Sequence, residues 1–294
     1  MASDHLRGVA LVAAGALCWS SGGILVRMVD ASGLAIVFWR SVFMLLAVGA
    51  FLVARNGFGG TIAMVRAMGR TGIASGVLLT GAFVGYILSL KFTTVANTVV
   101  IMSASPLVAA LLARLVLGEP LPRRTVIAIG VAFAGIAVMF SGSLAGGGWI
   151  GNLLALMVAV SFGANIVAVR RGRALDMVPA TFLGGVISAA LVGPFAEPWL
   201  VSATDLGWLA LMGGFQLGLG LFLFTRGTRH LRAAEVGLLT LLETVLAPLW
   251  VWIGVGEEPG ALALIGGAMV MAALAGQALA PGSALPPMRR PEAG

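Results

Sequence analysis

The chain has 294 residues, of which 60% are hydrophobic and only 10% are charged, and its formal net charge is +7. Soluble globular proteins usually contain about 25% charged residues, so this composition excludes a water-soluble body. A bilayer span needs about 20 apolar residues, and ten such spans would leave short loops and no room for a fused nucleotide-binding or sensor domain.

Apolar runs bounded by charge, glycine or proline predict an all-α integral membrane protein with ten spans. The first run is about 20 residues long, whereas a signal-peptide core has about 7–15, so we expect it to remain as span 1. In chain order, spans 1 to 10 are predicted at about residues 6–29, 34–54, 71–90, 94–117, 123–141, 149–169, 178–197, 206–226, 232–254 and 260–280.

The positions of the basic residues predict the orientation of the chain in the membrane. With a cytoplasmic N-terminus, 15 of the 18 Lys and Arg residues fall on the cytoplasmic side. Cytoplasmic loops are enriched in Lys and Arg, so we expect both termini in the cytoplasm and the chain in the cytoplasmic (inner) membrane. The same scatter between apolar runs disfavours nucleic-acid binding. The 15 residues are Arg7, Arg55, Arg66, Arg70, Arg114, Arg123, Arg124, Arg170, Arg171, Arg173, Arg226, Arg229, Arg232, Arg289 and Arg290.

The two halves of the chain resemble each other, although two apolar sequences can also align through composition alone. Each half holds five spans, an odd number, so the second half would be inserted upside down. Residues 1–145 would form one repeat and residues 146–294 the inverted second repeat with a short tail, around a central cavity, as in secondary transporters. The matches are Gly8, Trp19 and Arg27 with Gly151, Phe162 and Arg170, and Ala96, Ser105, Gly118 and Glu119 with Ala234, Glu243, Gly256 and Glu257.

Glu243 is the acid predicted at mid-depth, because it lies 11 residues after Arg232 in span 9, or about 16 Å at 1.5 Å per residue. An ionised side chain at that depth costs at least about 2.5–3.5 kcal/mol. Glu243 would therefore bind a substrate ammonium group or exchange a proton. The alternative is a protonated side chain that hydrogen-bonds to a neighbouring helix.

The repeat places further candidate substrate-binding residues at matching depths. Ser103 and Ser105 lie in span 4 beside Pro106, which removes a backbone donor and would form either a hinge or a plain kink. An aromatic ring beside polar groups suits an amphipathic solute, although such rings more commonly form helix contacts. The pairs in question are Trp19 with Ser20 in span 1 and Phe162 with Asn165 in span 6.

Spans 3 and 8 are rich in glycine, which mainly allows helices to pack closely. Phe83, Tyr86 and Gln216 are the side chains in these spans that could reach a solute. Asn97 and Glu235 are related by the repeat and could act as gates or form hydrogen bonds at helix ends. Arg40, about six residues inside span 2, is expected to extend outward to the membrane surface.

Several of these residues resemble a known family in their order and spacing. The motifs are Trp19-Ser20, Phe38-Trp39-Arg40, Ser105-Pro106, Leu117-Gly118-Glu119 and Glu243. The whole chain is similar to the ten-helix EamA branch of the drug/metabolite transporter superfamily, and within it to bacterial aromatic amino-acid exporters of the YddG type. This resemblance implies a basket in which spans 1, 3, 4, 6, 8 and 9 surround the cavity. One departure is Thr244 after Glu243, where the family commonly has proline.

The sequence therefore favours a secondary transporter that exports amino acids, particularly aromatic and other neutral ones, by alternating access. Another exporter of metabolites or drugs, or a channel or membrane scaffold, remains the alternative. Phosphorylated substrates are disfavoured because no basic residue is predicted at mid-depth. No P-loop or zinc-protease motif occurs, so we expect no enzyme, no cofactor, no metal site and no obligate protein partner, only a small-molecule substrate and the lipid bilayer.

Overall fold

The computed structural model describes residues 2–171, 177–231 and 233–279, and within these ranges the regular elements are helices, with no strand. Ten helices in the described ranges are long and apolar enough to cross a membrane. The predicted all-α fold with ten spans is therefore confirmed, and the chain is a multi-pass membrane protein. The first of these ten is Asp4–Arg27, in the range predicted for span 1.

The helices follow the predicted order closely. Spans 1 to 5 consist of Ala2–Ser20 with Gly22–Arg27, Gly33–Ala67, Gly69–Phe92, Val95–Ser103 with Ser105–Leu117, and Arg123–Gly146. Spans 6 to 10 consist of Trp149–Arg171, Met177–Val192, Ala203–Ala210 continued by Leu211–Leu219 and Gly220–Gly227, Ala233–Val255, and Ala261–Leu279.

Span 2 departs from the prediction, since helix continues through the segment after residue 54 that was predicted to be a loop. Gly57 has φ 69° and ψ 167°, so the helix bends sharply there and resumes. Glycine adopts this positive φ without the steric cost of a Cβ. Thr61 Oγ1 donates to the Gly57 carbonyl oxygen over 2.9 Å and holds the bend, while Phe58 is exposed. The predicted loop is therefore largely a short helix beyond the membrane span.

Three spans are interrupted near their middle. Span 1 breaks at Ser21, where the Ser20 and Ser21 hydroxyls donate to carbonyl oxygens in the preceding turn, each over 2.7 Å. Span 4 breaks at Ala104. Span 8 widens into a π-helix over Leu211–Leu219, a distortion that is frequent at functional sites. Backbone irregularity at membrane depth is tolerated only where protein or a water-filled cavity surrounds it.

The packing of the spans is reciprocal between the halves. Span 1 packs against spans 8 and 9, and span 6 packs against spans 3 and 4. Span 2 packs against span 7, and span 5 packs against span 10. This pattern is expected of two related halves, because each span contacts in the other half the counterparts of the spans that its own counterpart contacts.

Spans 5 and 10 make a backbone-to-backbone contact. A Cβ added to Gly135 would lie 2.6 Å from the Gly266 carbonyl oxygen, and a Cβ on Gly266 would collide with the Gly135 carbonyl oxygen. Only glycine at both positions allows this approach. In contrast, a Cβ on Gly276 in the same span 10 helix would meet nothing within 4 Å.

We therefore expect Gly266→Ala to destabilise the protein by about 1–3 kcal/mol, because overpacking forces the two helices apart. Gly276→Ala is the matched control and should unfold at the wild-type temperature or slightly higher. Thermal unfolding in detergent, followed by tryptophan fluorescence, compares the two. Equal unfolding temperatures would show that spans 5 and 10 do not depend on this contact.

Candidate functional site

Arg40 lies at the centre of the described spans rather than at their surface. Its side chain is only 5% exposed, and its Nη2 donates to Gln216 Oε1 over 3.4 Å. The guanidinium carbon stands 5.3 Å from the centre of the Tyr86 ring. Arg40 Nε is buried with no hydrogen-bond partner among the described residues. The expectation that Arg40 extends outward is therefore wrong, because spans 3 and 8 cover it and supply its polar contacts.

The helix distortions bring these side chains together. Gln216 lies in the π-helical part of span 8, and its Nε2 donates to the Trp19 carbonyl oxygen over 3.3 Å, just before the break in span 1. A Cβ on Gly22 would lie 2.7 Å from the Tyr86 hydroxyl and 2.9 Å from Gln216 Nε2. Glycine at position 22 thus allows both polar groups to lie against the backbone of span 1.

Glu243 faces the same place from span 9. Its carboxyl interacts electrostatically with Arg40 and with Tyr86, and its side chain is half-buried. Neither a hydrogen bond nor an ion pair shorter than 4.0 Å joins Glu243 to Arg40 in the described structure. An arginine and a glutamate therefore stand near each other without being hydrogen-bonded to each other. We call Arg40, Tyr86, Gln216 and Glu243 the central cluster.

The candidates from span 1 contact other helices. The Trp19 ring packs 4.8 Å from the Phe224 ring, with its indole edge against Gly220. The Ser20 hydroxyl is fully buried and accepts a hydrogen bond from Trp250 Nε1 over 2.9 Å. Trp19 and Ser20 thus border the central cluster through the backbone, and their side chains connect span 1 to spans 8 and 9.

The candidates from spans 3 and 6 form part of the packed interior. Phe83 is 7% exposed and lies in an apolar cluster with residues of span 7, and half-buried Phe162 packs against that cluster and its neighbour. Asn165 is 1% exposed, and its Oδ1 accepts from the Ser75 hydroxyl over 2.5 Å. Of these three residues, Phe162 is the one that borders both apolar clusters.

The candidate serines of span 4 donate hydrogen bonds to carbonyl oxygens of the same span. Ser103 Oγ donates to the Val100 carbonyl oxygen over 2.7 Å, and Ser105 Oγ donates to the Met102 carbonyl oxygen. Pro106 is exposed and stands in the first turn of the helix after the break at Ala104. Proline is tolerated in a first turn because no donor is required there, so the break places Pro106 where it costs no helical hydrogen bond.

Asn97 lies far from Glu235, in a polar cluster at the end of spans 3 to 6. Its Nδ2 donates to Thr93 Oγ1, Ser143 Oγ and Asn152 Oδ1 over 3.1–3.2 Å. Thr93 and Ser143 also hydrogen-bond to Asn152, over 2.9 and 2.7 Å. This polar cluster joins four spans at one end of the bundle.

Glu235 lies at the opposite end, where its Oε1 is 3.0 Å from His5 Nε2. Asn97 and Glu235 therefore both form hydrogen bonds at helix ends, one of the two roles predicted for them. The gate role of Asn97 and Glu235 stays a prediction.

An ion pair stands at the end of the bundle that contains Asn97. Arg27 Nε donates to Glu257 Oε2 over 2.7 Å, and the two side chains are 24% and 18% exposed. Arg27 also donates to the carbonyl oxygens of Leu90 and Thr93. Glu257 Oε1 accepts from the Val95 backbone N–H over 2.6 Å. The pair connects the ends of spans 1, 3, 4 and 9, and we call it the Arg27 clamp.

Sequence reasoning missed both Arg40 and the Arg27 clamp. Arg40 stands seven residues after the start of the span 2 helix at Gly33, or about 10 Å along it. An ionisable residue inside a span is by default a functional candidate, and that signal was available. The partner of Arg27 lies 230 residues away in the sequence, and no local pattern indicates such a pair.

The central cluster presents polar groups that can bind a solute. It offers hydrogen-bond donors from Arg40 beside the Glu243 carboxyl. In the described part of the chain, no group of three or more His, Cys, Asp or Glu side chains could hold a metal ion.

Comparisons with known proteins place the chain among membrane transporters. A model described as the EamA-like transporter family matches residues 6–141 and again residues 149–277. The chain is 26% identical over 202 residues to the uncharacterized transporter YyaM of Bacillus subtilis strain 168, a match that spans 63% of this chain and 65% of that protein.

A solved crystal structure of a protein also matches, with a TM-score of 0.63 and 20% sequence identity over 94% of this chain and 96% of that one. At this identity the likeness concerns the fold alone. The family model, in contrast, covers most of the chain in two consecutive segments. The chain therefore belongs to the EamA-like transporter family.

Proposed function

We propose that this protein is a secondary transporter that exports amino acids, with aromatic and other neutral ones favoured, across the cytoplasmic membrane. Membership of a transporter family supports transport of a small molecule. The observation on which the substrate class depends is the central cluster, where buried Arg40 and half-buried Glu243 interact electrostatically without a direct bond.

A zwitterion matches this cluster group by group. The substrate carboxylate would bind Arg40, whose Nε lacks a partner, because guanidinium and carboxylate form strong paired hydrogen bonds. The substrate ammonium would bind Glu243. A bound zwitterion then neutralises both protein charges in a medium where an isolated charge is costly. Phosphorylated substrates were disfavoured because no basic residue was predicted at mid-depth, and buried Arg40 is such a residue. The nearby carboxyl group of Glu243 would nevertheless repel a phosphate dianion.

The preference for aromatic side chains depends on the rings near the cluster. Tyr86 belongs to it, Phe162 packs against the same apolar core as Tyr86, and Trp250 reaches Ser20 beside the break in span 1. Such apolar surface beside a few polar groups is typical of sites for amphipathic small molecules. The likeness to aromatic amino-acid exporters of the YddG type supports the same proposal.

We further propose that transport follows alternating access between two inverted halves. The reciprocal packing of the spans and the two consecutive family matches, residues 6–141 and 149–277, support the division into repeats. The arginine distribution supports cytoplasmic termini, and with that orientation the Arg27 clamp would lie at the outer side. With the clamp closed, the central cluster would communicate with the cytoplasm.

Counterflow in proteoliposomes tests the proposed function. Vesicles preloaded with phenylalanine or threonine should take up labelled phenylalanine faster than vesicles preloaded with a neutral compound that is not an amino acid. Alternating access predicts this stimulation because a loaded carrier returns faster than an empty one. Equal uptake in all three preparations, from protein shown to be folded, would exclude amino acids as the substrate class.

Substrate analogues test the two charges separately. Arg40→Gln should weaken competition by phenylalanine about 10- to 100-fold, because a charge-assisted hydrogen bond contributes about 1.5–3 kcal/mol. The same variant should leave competition by phenethylamine, which lacks the carboxylate, nearly unchanged. Glu243→Gln should likewise weaken competition by phenylalanine. It should leave competition by 3-phenylpropionate, which lacks the ammonium group, nearly unchanged.

Arg40→Lys keeps the charge without the planar fork and is the matched control, with an expected loss between those of wild type and Arg40→Gln. Equal losses for phenylalanine and both analogues would contradict the proposed binding mode. A Glu243→Gln variant with unchanged affinity and no response to a pH gradient would instead assign proton exchange to Glu243.

The Arg27 clamp is expected to hold its end of the bundle closed. Glu257→Gln removes one charge of the ion pair and weakens the acceptor of the Val95 N–H, so hydrogen exchange across residues 90–99 should accelerate about tenfold or more. Glu258→Gln is the matched control, since Glu258 is exposed. Mass spectrometry of exchanged peptides gives the rates. Equal protection in both variants would show that the clamp does not keep this end closed.

A further inference from the structure

Two adjoining cavities lie between spans 2, 7 and 8, away from the central cluster. One has a volume of about 280 Å³ and the other about 400 Å³, and they share Phe51, Val178 and Phe222. Together they form a groove that contains no residue of the central cluster. The first cavity is lined almost entirely by apolar side chains and glycine, and the second adds Arg55, Thr225 and Arg226.

The groove has the depth of one bilayer leaflet. Ala47 and Arg55 mark its limits on span 2, eight residues apart, or about 12 Å along the helix. Half of the hydrocarbon core is about 15 Å. Span 8 lies against span 2 at Gly213, where a Cβ would be 2.6 Å from the Arg40 carbonyl oxygen. Nearer Arg55, larger side chains separate the two helices, and Phe51 and Phe222 meet edge to face at 5.2 Å.

The open end of the groove is cationic. Arg55 and Arg226 are both exposed and line the same cavity. Arg226 lies over the Phe222 ring, 4.9 Å from its centre. Neither guanidinium has a hydrogen bond or ion pair to the described residues. Two cations therefore stand at the mouth of an apolar groove, and none of the described residues that line it is acidic.

We propose that this groove binds an anionic phospholipid from the leaflet at the Arg55 end. An acyl chain occupies the apolar part beside Ala47 and Phe51, and the phosphate binds Arg55 and Arg226. Basic pockets between spanning helices are suited to anionic headgroups. The apolar lining has no group for the polar end of an amino acid, so the groove is distinct from the transport site proposed above.

Native mass spectrometry of the detergent-purified protein tests the site, with phosphatidylglycerol and phosphatidylcholine of identical chains as probes. The wild-type protein should bind phosphatidylglycerol more tightly than phosphatidylcholine. Replacement of both arginines, Arg55→Gln with Arg226→Gln, should weaken that binding about 30-fold, from two surface charges. Arg66→Gln with Arg70→Gln is the matched control, because both residues are exposed near the same end but do not line the groove.

A second variant tests the apolar part without changing charge. A Cβ at Gly214, which lines the groove, would meet nothing within 4 Å, so Gly214→Leu fills the cavity with little strain. It should weaken long-chain phosphatidylglycerol at least tenfold and leave the protein folded. Equal binding by the Arg55/Arg226 and Arg66/Arg70 variants, or unchanged binding by Gly214→Leu, would overturn the proposal. Competition by glycerol phosphate as strong as by the intact lipid would also overturn it, since the site would then bind free anions.

Discussion

The need to stabilise a buried guanidinium within a bilayer-spanning bundle organises the middle of this protein. Arg40 is almost fully buried, and a charge at that depth requires polar partners or water. Gln216 is brought to it by a π-helix, Tyr86 reaches it across a glycine in span 1, and Glu243 supplies the opposite charge from span 9. These departures from regular helix are local costs that make the shared polar centre possible.

The two ends of the bundle are held by different means. At the Arg27 end, one ion pair and a network of amide and hydroxyl groups join six different helix ends and satisfy backbone groups. At the Arg55 end, the described contacts include the exposed pair His5 and Glu235, while Arg55 and Arg226 face a groove. Partly buried polar networks are worth more than exposed pairs, so the network at the Arg27 end contributes more stability than the exposed His5–Glu235 pair.

Hydropathy predicted the spans within a few residues, except for the end of span 2, because each apolar run must cross the same thickness of hydrocarbon. The same reasoning predicted that Glu243 lies at mid-depth in the membrane. Depth along a helix does not determine which way a side chain points, and for this reason Arg40 was expected to extend outward although it points inward. The Arg27 clamp joins residues far apart in the sequence, and the helix after Gly57 contains two glycines and an arginine, residues that commonly mark a loop. Tertiary packing determines the direction of Arg40 and the pairing of Arg27 with Glu257.

The contact between Gly135 and Gly266 constrains how the bundle can move. Backbones that touch without intervening side chains hold the two helices close together, so in the proposed alternating access spans 5 and 10 would act as a pivot. Spans 2 and 7 pack together against a different set of neighbours, at the edge of the bundle away from this pivot. A rocking motion about spans 5 and 10 would have its largest amplitude there, and the volume of the groove beside spans 2 and 7 would change with every transport cycle.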